Sequence, residues 1–154
     1  MSIEDLKLDT REKSGTGTVT AKLNKDYVTD KFAGEPSFFV TNRKNVALQA
    51  IYQLALDESF QIHLIFDANI KKGRHEFSTQ HFPSPFSFSH TLGSTTKGYT
   101  TATNAGFIDI ENFDIDKGTF RASFNFTFTD FDTREVHQVY DGKIDVKDLE
   151  IDDE

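Results

Sequence analysis

A chain of 154 residues is the size of one domain, and with 16 Phe, one Met and no Trp its core must be built largely from phenylalanine and aliphatic residues. The absence of cysteine excludes a disulfide framework and a thiolate metal site. A net charge of -8 and a pI near 5.1 oppose nonspecific attraction to nucleic acid or an anionic membrane, and no run of about 20 apolar residues exists to form a membrane-spanning helix.

Residues 1–17 carry Glu4, Asp5, Lys7, Asp9, Arg11, Glu12 and Lys13 without an apolar stretch resembling a signal-peptide core. They are expected to be a mobile N-terminal segment, and the chain reads as soluble and cytoplasmic. Residues 18–23 and 37–41 follow as short strands. The basic pairs that interrupt the chain, first Arg43 with Lys44 and later Lys71, Lys72 and Arg74, read as solvated turn charges. Residues 45–56 satisfy both helical and strand spacing. A strand is favoured because Val46, Leu48, Ala50, Tyr52 and Leu54 then share one face. After a break at Asp57, Glu58 and Ser59, the alternation of Phe60, Ile62, Leu64 and Phe66 predicts a further strand, and residues 70–77 add a shorter one.

Residues 78–106 differ from the rest, with Pro83, Pro85, Gly93, Gly98 and many Ser and Thr set among Phe82, Phe86, Phe88 and Tyr99. They predict one long Ser/Thr/Pro-containing loop, within which a short hairpin could turn at residues 91–97. Residues 107–115 return to strand character, with a change of phase near Glu111 and Asn112 that a bulge would repair. Asp116, Lys117 and Gly118 supply a turn into residues 119–129, the clearest pattern in the chain: Phe120, Ala122, Phe124, Phe126 and Phe128 alternate with polar residues. Residues 135–146 form the next strand, bent at Gly142, and the acidic residues 147–154 are expected to be a solvated tail.

The expected fold is therefore all-β: an antiparallel β-sandwich over residues 18–146, with a C-terminal three-strand meander and one long loop. Two stretches carry a resemblance, FQIHLIFDANIKKGRHEF at residues 60–77 and GFIDIENFDIDKGTFRASFNFTF followed by VYDGKIDV within residues 106–146. In strand order and turn placement they resemble an uncharacterised family of small bacterial β-sandwich domains, often secreted or lipid-anchored. That resemblance implies a sandwich and no established activity, and it supplies no catalytic residue.

Chemistry-bearing patterns are sparse. Asn112, Asp114 and Asp116 alternate like the start of a calcium loop, but Gly118 stands one position late and no Glu closes the loop, so a solvated hairpin is the preferred reading. The histidines at 63, 75, 81, 90 and 137 have no zinc-site spacing. His81 and His90 share the long loop and are the candidates for a small hydrolase or lyase. The serine in Leu92-Gly93-Ser94-Thr95 lacks the second glycine of a nucleophile elbow.

No catalytic, cofactor or metal site is expected. The leading expectation is a noncatalytic binding or interaction module for an unknown protein or glycan. Its candidate ligand-binding residues are Phe82, Phe86, Phe88, His81, His90 and Tyr99, although the preferred reading of these aromatics is that they pin the loop onto the core. The alternative is an acidic cytosolic partner, immunity- or antitoxin-like, that masks a basic protein.

Overall fold

In the computed structural model, residues 13–24, 29–77, 81–100, 106–130 and 132–152 are described. They form strands β1 (Thr16–Leu23), β2 (Lys31–Thr41), β3 (Asn45–Ala55), β4 (Glu58–Asp67), β5 (Gly73–Glu76), β6 (Ser84–Leu92), β7 (Thr95–Thr100), β8 (Gly106–Asp114), β9 (Thr119–Thr129), β10 (Val136–Lys147) and β11 (Glu150–Ile151). The all-β reading holds. These strands are not divided between two separate sheets, as a sandwich requires; they follow one hydrogen-bonded path, β5-β8-β9-β10-β1-β2-β3-β4-β6-β7, curled into a half-barrel. Neighbours on this path pair antiparallel, and β11 adds to β2 in parallel.

Curling is what allows a single sheet to bury one face against itself. The rings of β9 lie at the centre of the contact. Phe120 meets Phe39 of β2 and Phe66 of β4, Phe124 and Phe126 stack on Phe86 of β6, and Phe128 stacks on Phe88 with Tyr99 of β7 beside it. Centroid separations of 4.7 Å for Phe86–Phe124 and 4.8 Å for Phe88–Phe128 are the offset-stacking distances favoured by ring quadrupoles. On the opposite face, Phe38, Val40, Ala47 and Ile65 form a second, smaller buried cluster, against which His63 packs edge-on. Burial there holds the His63 imidazole below its ordinary pKa.

Bulges make the bending possible. The phase change near Glu111 is a register shift between Ile110 and Asn112. In β10 the register against β9 shifts between Val139 and Gly142, where Asp141 takes a φ of 50°. Residues 45–56 adopt the strand alternative. Residues 31–36, which gave no strand signal, extend β2 through Pro36, which is tolerated because it lies beyond the last β1 pair and at a bulge against β3.

The long loop is a correction. Within residues 78–106, β6 pairs with both β4 and β7, and the β6–β7 connection is the two-residue turn Gly93-Ser94 with Gly93 at φ 63°. Sheet pairing also extends outside residues 18–146. Thr16 and Gly17 pair with Lys147 and Val146, the Ser14 hydroxyl accepts the Phe39 N–H, and Glu150 and Ile151 pair with Val40 and Thr41.

The free side of β7 approaches the β9–β10 connection, and Lys97 bridges that seam. Its Nζ lies 2.8 Å from both Asp130 and Asp132. The bond from Lys97 holds the Asp130 carboxyl below its ordinary 3.8, and the bonds to Asp130 and Asp132 raise the Lys97 ammonium above its ordinary 10.5. A depressed carboxyl pKa contributes stability that is present above about pH 4 and lost as pH falls through the folded-state value; a raised lysine pKa contributes stability that persists to about pH 10 and is lost above it. Urea midpoints measured from about pH 6 down to pH 3 should therefore fall less steeply in Lys97→Gln than in the wild type. Equal slopes would show that the seam is energetically silent.

Candidate functional site

The six candidate ligand-binding residues do not come together as a surface. Phe82, Phe86 and Phe88 are fully inaccessible and Tyr99 is buried, all within the main core. Phe86 and Phe88 point inward by alternation in β6, Phe82 precedes that strand and Tyr99 lies on β7, so all four pack in the half-barrel and cannot serve as an exposed sugar platform. The pinning role is the one they have.

His81 and His90 stand at opposite ends of the β4–β6 ladder. His81 lies beside Asp67, whose N–H donates to the His81 carbonyl, while His90 is opposite Phe60. Their neighbours Asp67 and Phe60 lie at the two ends of β4, roughly 20 Å or more apart along the strand, so no reaction centre can use both. His90 continues the aromatic stack, 4.5 Å from the Phe60 ring, and its Nε2 lies 2.7 Å from Glu58. His81 packs edge-on against His75. The calcium-like triad is a turn: Asp114 accepts the N–H groups of Asp116 and Lys117, and the Asn112 amide donates to Thr119. No cluster of three or more metal-ligating His, Asp or Glu occurs among the described residues.

A concavity of about 780 Å³ lies elsewhere, on the face of β5, β8, β9, β10, β1 and β2 turned away from the core. Its floor is strand backbone at residues 20–22, 31–33 and 123–125. Strand register explains its composition. One row of directly opposed residues runs Arg74 (β5), Asp109 (β8), Ser123 (β9), Lys143 (β10), Thr20 (β1) and Ala33 (β2). A neighbouring row brings Phe107 opposite Asn125 and Lys22 opposite Lys31. Short side chains at Ser123, Thr20 and Ala33 leave the row low on either side of Lys143, while Lys22, Lys31, Arg74 and Phe107 stand around it.

Four cationic side chains, Lys22, Lys31, Arg74 and Lys143, line the trough against two carboxylates, Asp109 and Asp141. Arg74 is committed: its Nε and Nη2 donate to the two Asp109 oxygens at 2.9 and 3.0 Å, and its guanidinium lies 4.0 Å over the Phe107 ring. Each charge holds the other, so the Asp109 carboxyl is shifted down by Arg74 and the Arg74 pKa is shifted up by Asp109. Lys22 reaches Asp141 at 3.6 Å, and the Asn125 side-chain Oδ1 accepts the Asp141 N–H.

Lys31 and Lys143 have no carboxylate partner among the described residues. The direct opposition of Lys22 and Lys31 is an unfavourable like-charge pair. Lys143 stands between the hydroxyls of Ser123 and Thr20 on adjacent strands, where opposed side chains lie about 5 Å apart. Locally, then, an acidic chain presents a surplus of positive charge and hydroxyl donors.

Of the residues that build this trough, the sequence reading singled out only Arg74, and as a turn charge. The other polar and charged ones occupy outward positions of five strands, β1, β2, β8, β9 and β10. The alternation of β9 marks Ser123 and Asn125 as outward, but nothing local says which residues stand opposite them. No protein-family model matches the chain, and neither does any curated protein or solved structure.

Proposed function

We propose that the protein is a noncatalytic binding module whose ligand lies in the trough across β9, β10, β1 and β2. The observation that carries this reading is the register row Ser123–Lys143–Thr20, which gathers uncommitted donors on the floor of a concavity of about 780 Å³, within the usual size range of small-ligand sites. Binding is favoured over chemistry because no histidine lines the trough among the described residues, and its Asp109 is already held by Arg74. Neither the Thr20 nor the Ser123 hydroxyl is hydrogen-bonded to a histidine or carboxylate base among the described residues.

A backbone-amide NMR screen of a fragment set containing neutral, cationic and anionic compounds tests this. Shifts should concentrate at residues 20–22, 31–33, 123–125 and Lys143. Fragments that gather elsewhere, or none that perturb these amides, would remove the trough as a ligand site.

A further inference from the structure

Resting on the trough being a ligand site, we infer that its ligand is a small organic anion: a carboxylate carried on an apolar body. The Ser123–Lys143–Thr20 row takes the head group, and Lys31 lies over the adjacent floor.

Three observations converge on that chemistry. The first is the donor set. Lys143 has a hydroxyl on either side, one strand away in each direction, and these three groups project from one face at directly opposed positions. A carboxylate seated there would accept a charge-assisted bond from the ammonium and neutral bonds from the hydroxyls, an arrangement that satisfies both of its oxygens. A cationic head group would meet the lysine repulsively, and a neutral one would leave the ammonium uncompensated.

The second is the opposed pair Lys22 and Lys31. Lys22 is partly offset by Asp141, whereas Lys31 has no counter-charge among the described residues. An anion on the floor relieves that repulsion, so binding gains from a charge arrangement that is unfavourable in the empty protein.

The third is size and sign. A concavity of about 780 Å³ is several times larger than a bare oxyanion fills, and the Ala33 and Phe107 side chains offer apolar surface within it. Asp109 and Asp141 at the same site, and a chain charge of -8, oppose a polyanion such as nucleic acid while leaving room for a single negative charge.

The experiment titrates the full chain with octanoate, 1-octanol and inorganic phosphate, following backbone amides by NMR. Octanoate should shift the trough amides and bind at least tenfold more tightly than octanol or phosphate. Lys143→Gln should weaken octanoate at least tenfold. Thr20→Ala, which keeps the lysine, should weaken it less, and Lys117→Gln, in the exposed β8–β9 turn, should leave it unchanged; unperturbed spectra away from the trough would show that each variant is folded. Octanol equal to octanoate in the trough, or octanoate unaffected by Lys143→Gln, would overturn the anion assignment while leaving the trough as a site for apolar ligands. Phosphate alone binding there would overturn the organic body. A fragment screen with neutral or cationic hits only would likewise sink this inference without touching the proposed function, whereas no trough perturbation by any compound would sink both.

Discussion

Phe86→Ala should lower the stability of the protein by about 3–5 kcal/mol, the usual cost of emptying a fully buried phenylalanine site. Phe86 is inaccessible and packs simultaneously on Phe77, Phe124 and Phe126, at centroid distances of 4.9, 4.7 and 5.1 Å. Phe124 and Phe126 belong to β9, distant in sequence, so the ring ties β6 to the centre of β9 across the curl. Removing it leaves a cavity that the rigid sheet on either side cannot close. For a domain of this size the melting temperature should drop by roughly 6–20 °C, a change that calorimetry or circular dichroism would register directly. The same substitution separates the two sequence-level roles of this residue. A platform aromatic on a solvated loop could be truncated within about 0.5 kcal/mol, and a result that small would contradict the core assignment.

Gly17→Ala should lower stability by about 1–3 kcal/mol from backbone strain alone, with a steric clash added to it. Gly17 has φ 117°, outside the range that L side chains adopt readily, and a Cβ placed there would lie 2.2 Å from the Asp145 carbonyl oxygen. That oxygen belongs to the opposing strand, where Gly17 pairs with Val146. The strain and the clash act together, because relieving either requires β1 to move away from β10. Urea denaturation should show a lower midpoint, and hydrogen exchange should report lost protection at the Thr16–Thr18 end of β1. A Gly73→Ala variant is the useful contrast: φ is 120° there as well, yet nothing lies within 4 Å of the added carbon. If the two variants lose the same stability, strain accounts for the effect and the close approach contributes nothing.

The strand content was readable wherever one face of a strand is apolar and the other polar. Thr119–Thr129 is the clearest case, since every second residue from Phe120 to Phe128 is buried. The bulge near Glu111 was readable for the same reason: a side-chain period of two leaves an odd residue visible as a slip in phase. Residues 78–106 misled because their prolines, glycines and hydroxyls are turn-forming residues, and β6 carries its small polar residues outward between Phe86, Phe88 and His90. Here tertiary pairing with β4 outweighed local composition.

The trough had a different kind of invisibility. Thr20, Ser123 and Lys143 are ordinary outward residues on their own strands, and each would read as solvated surface in isolation. They become a site only when β1, β10 and β9 are placed side by side in one register.

By itself, the amino-acid order determined that the chain forms β-strands, which of their faces turn inward, and where several turns fall, because these depend on a two-residue period and on local backbone preference. The tertiary structure alone decided that the strands make one curled sheet, that Ser84–Leu92 and Thr95–Thr100 are strands of it, and that the donors of the trough meet. Those outcomes depend on long-range hydrogen-bond register, which alternation along any single strand does not encode.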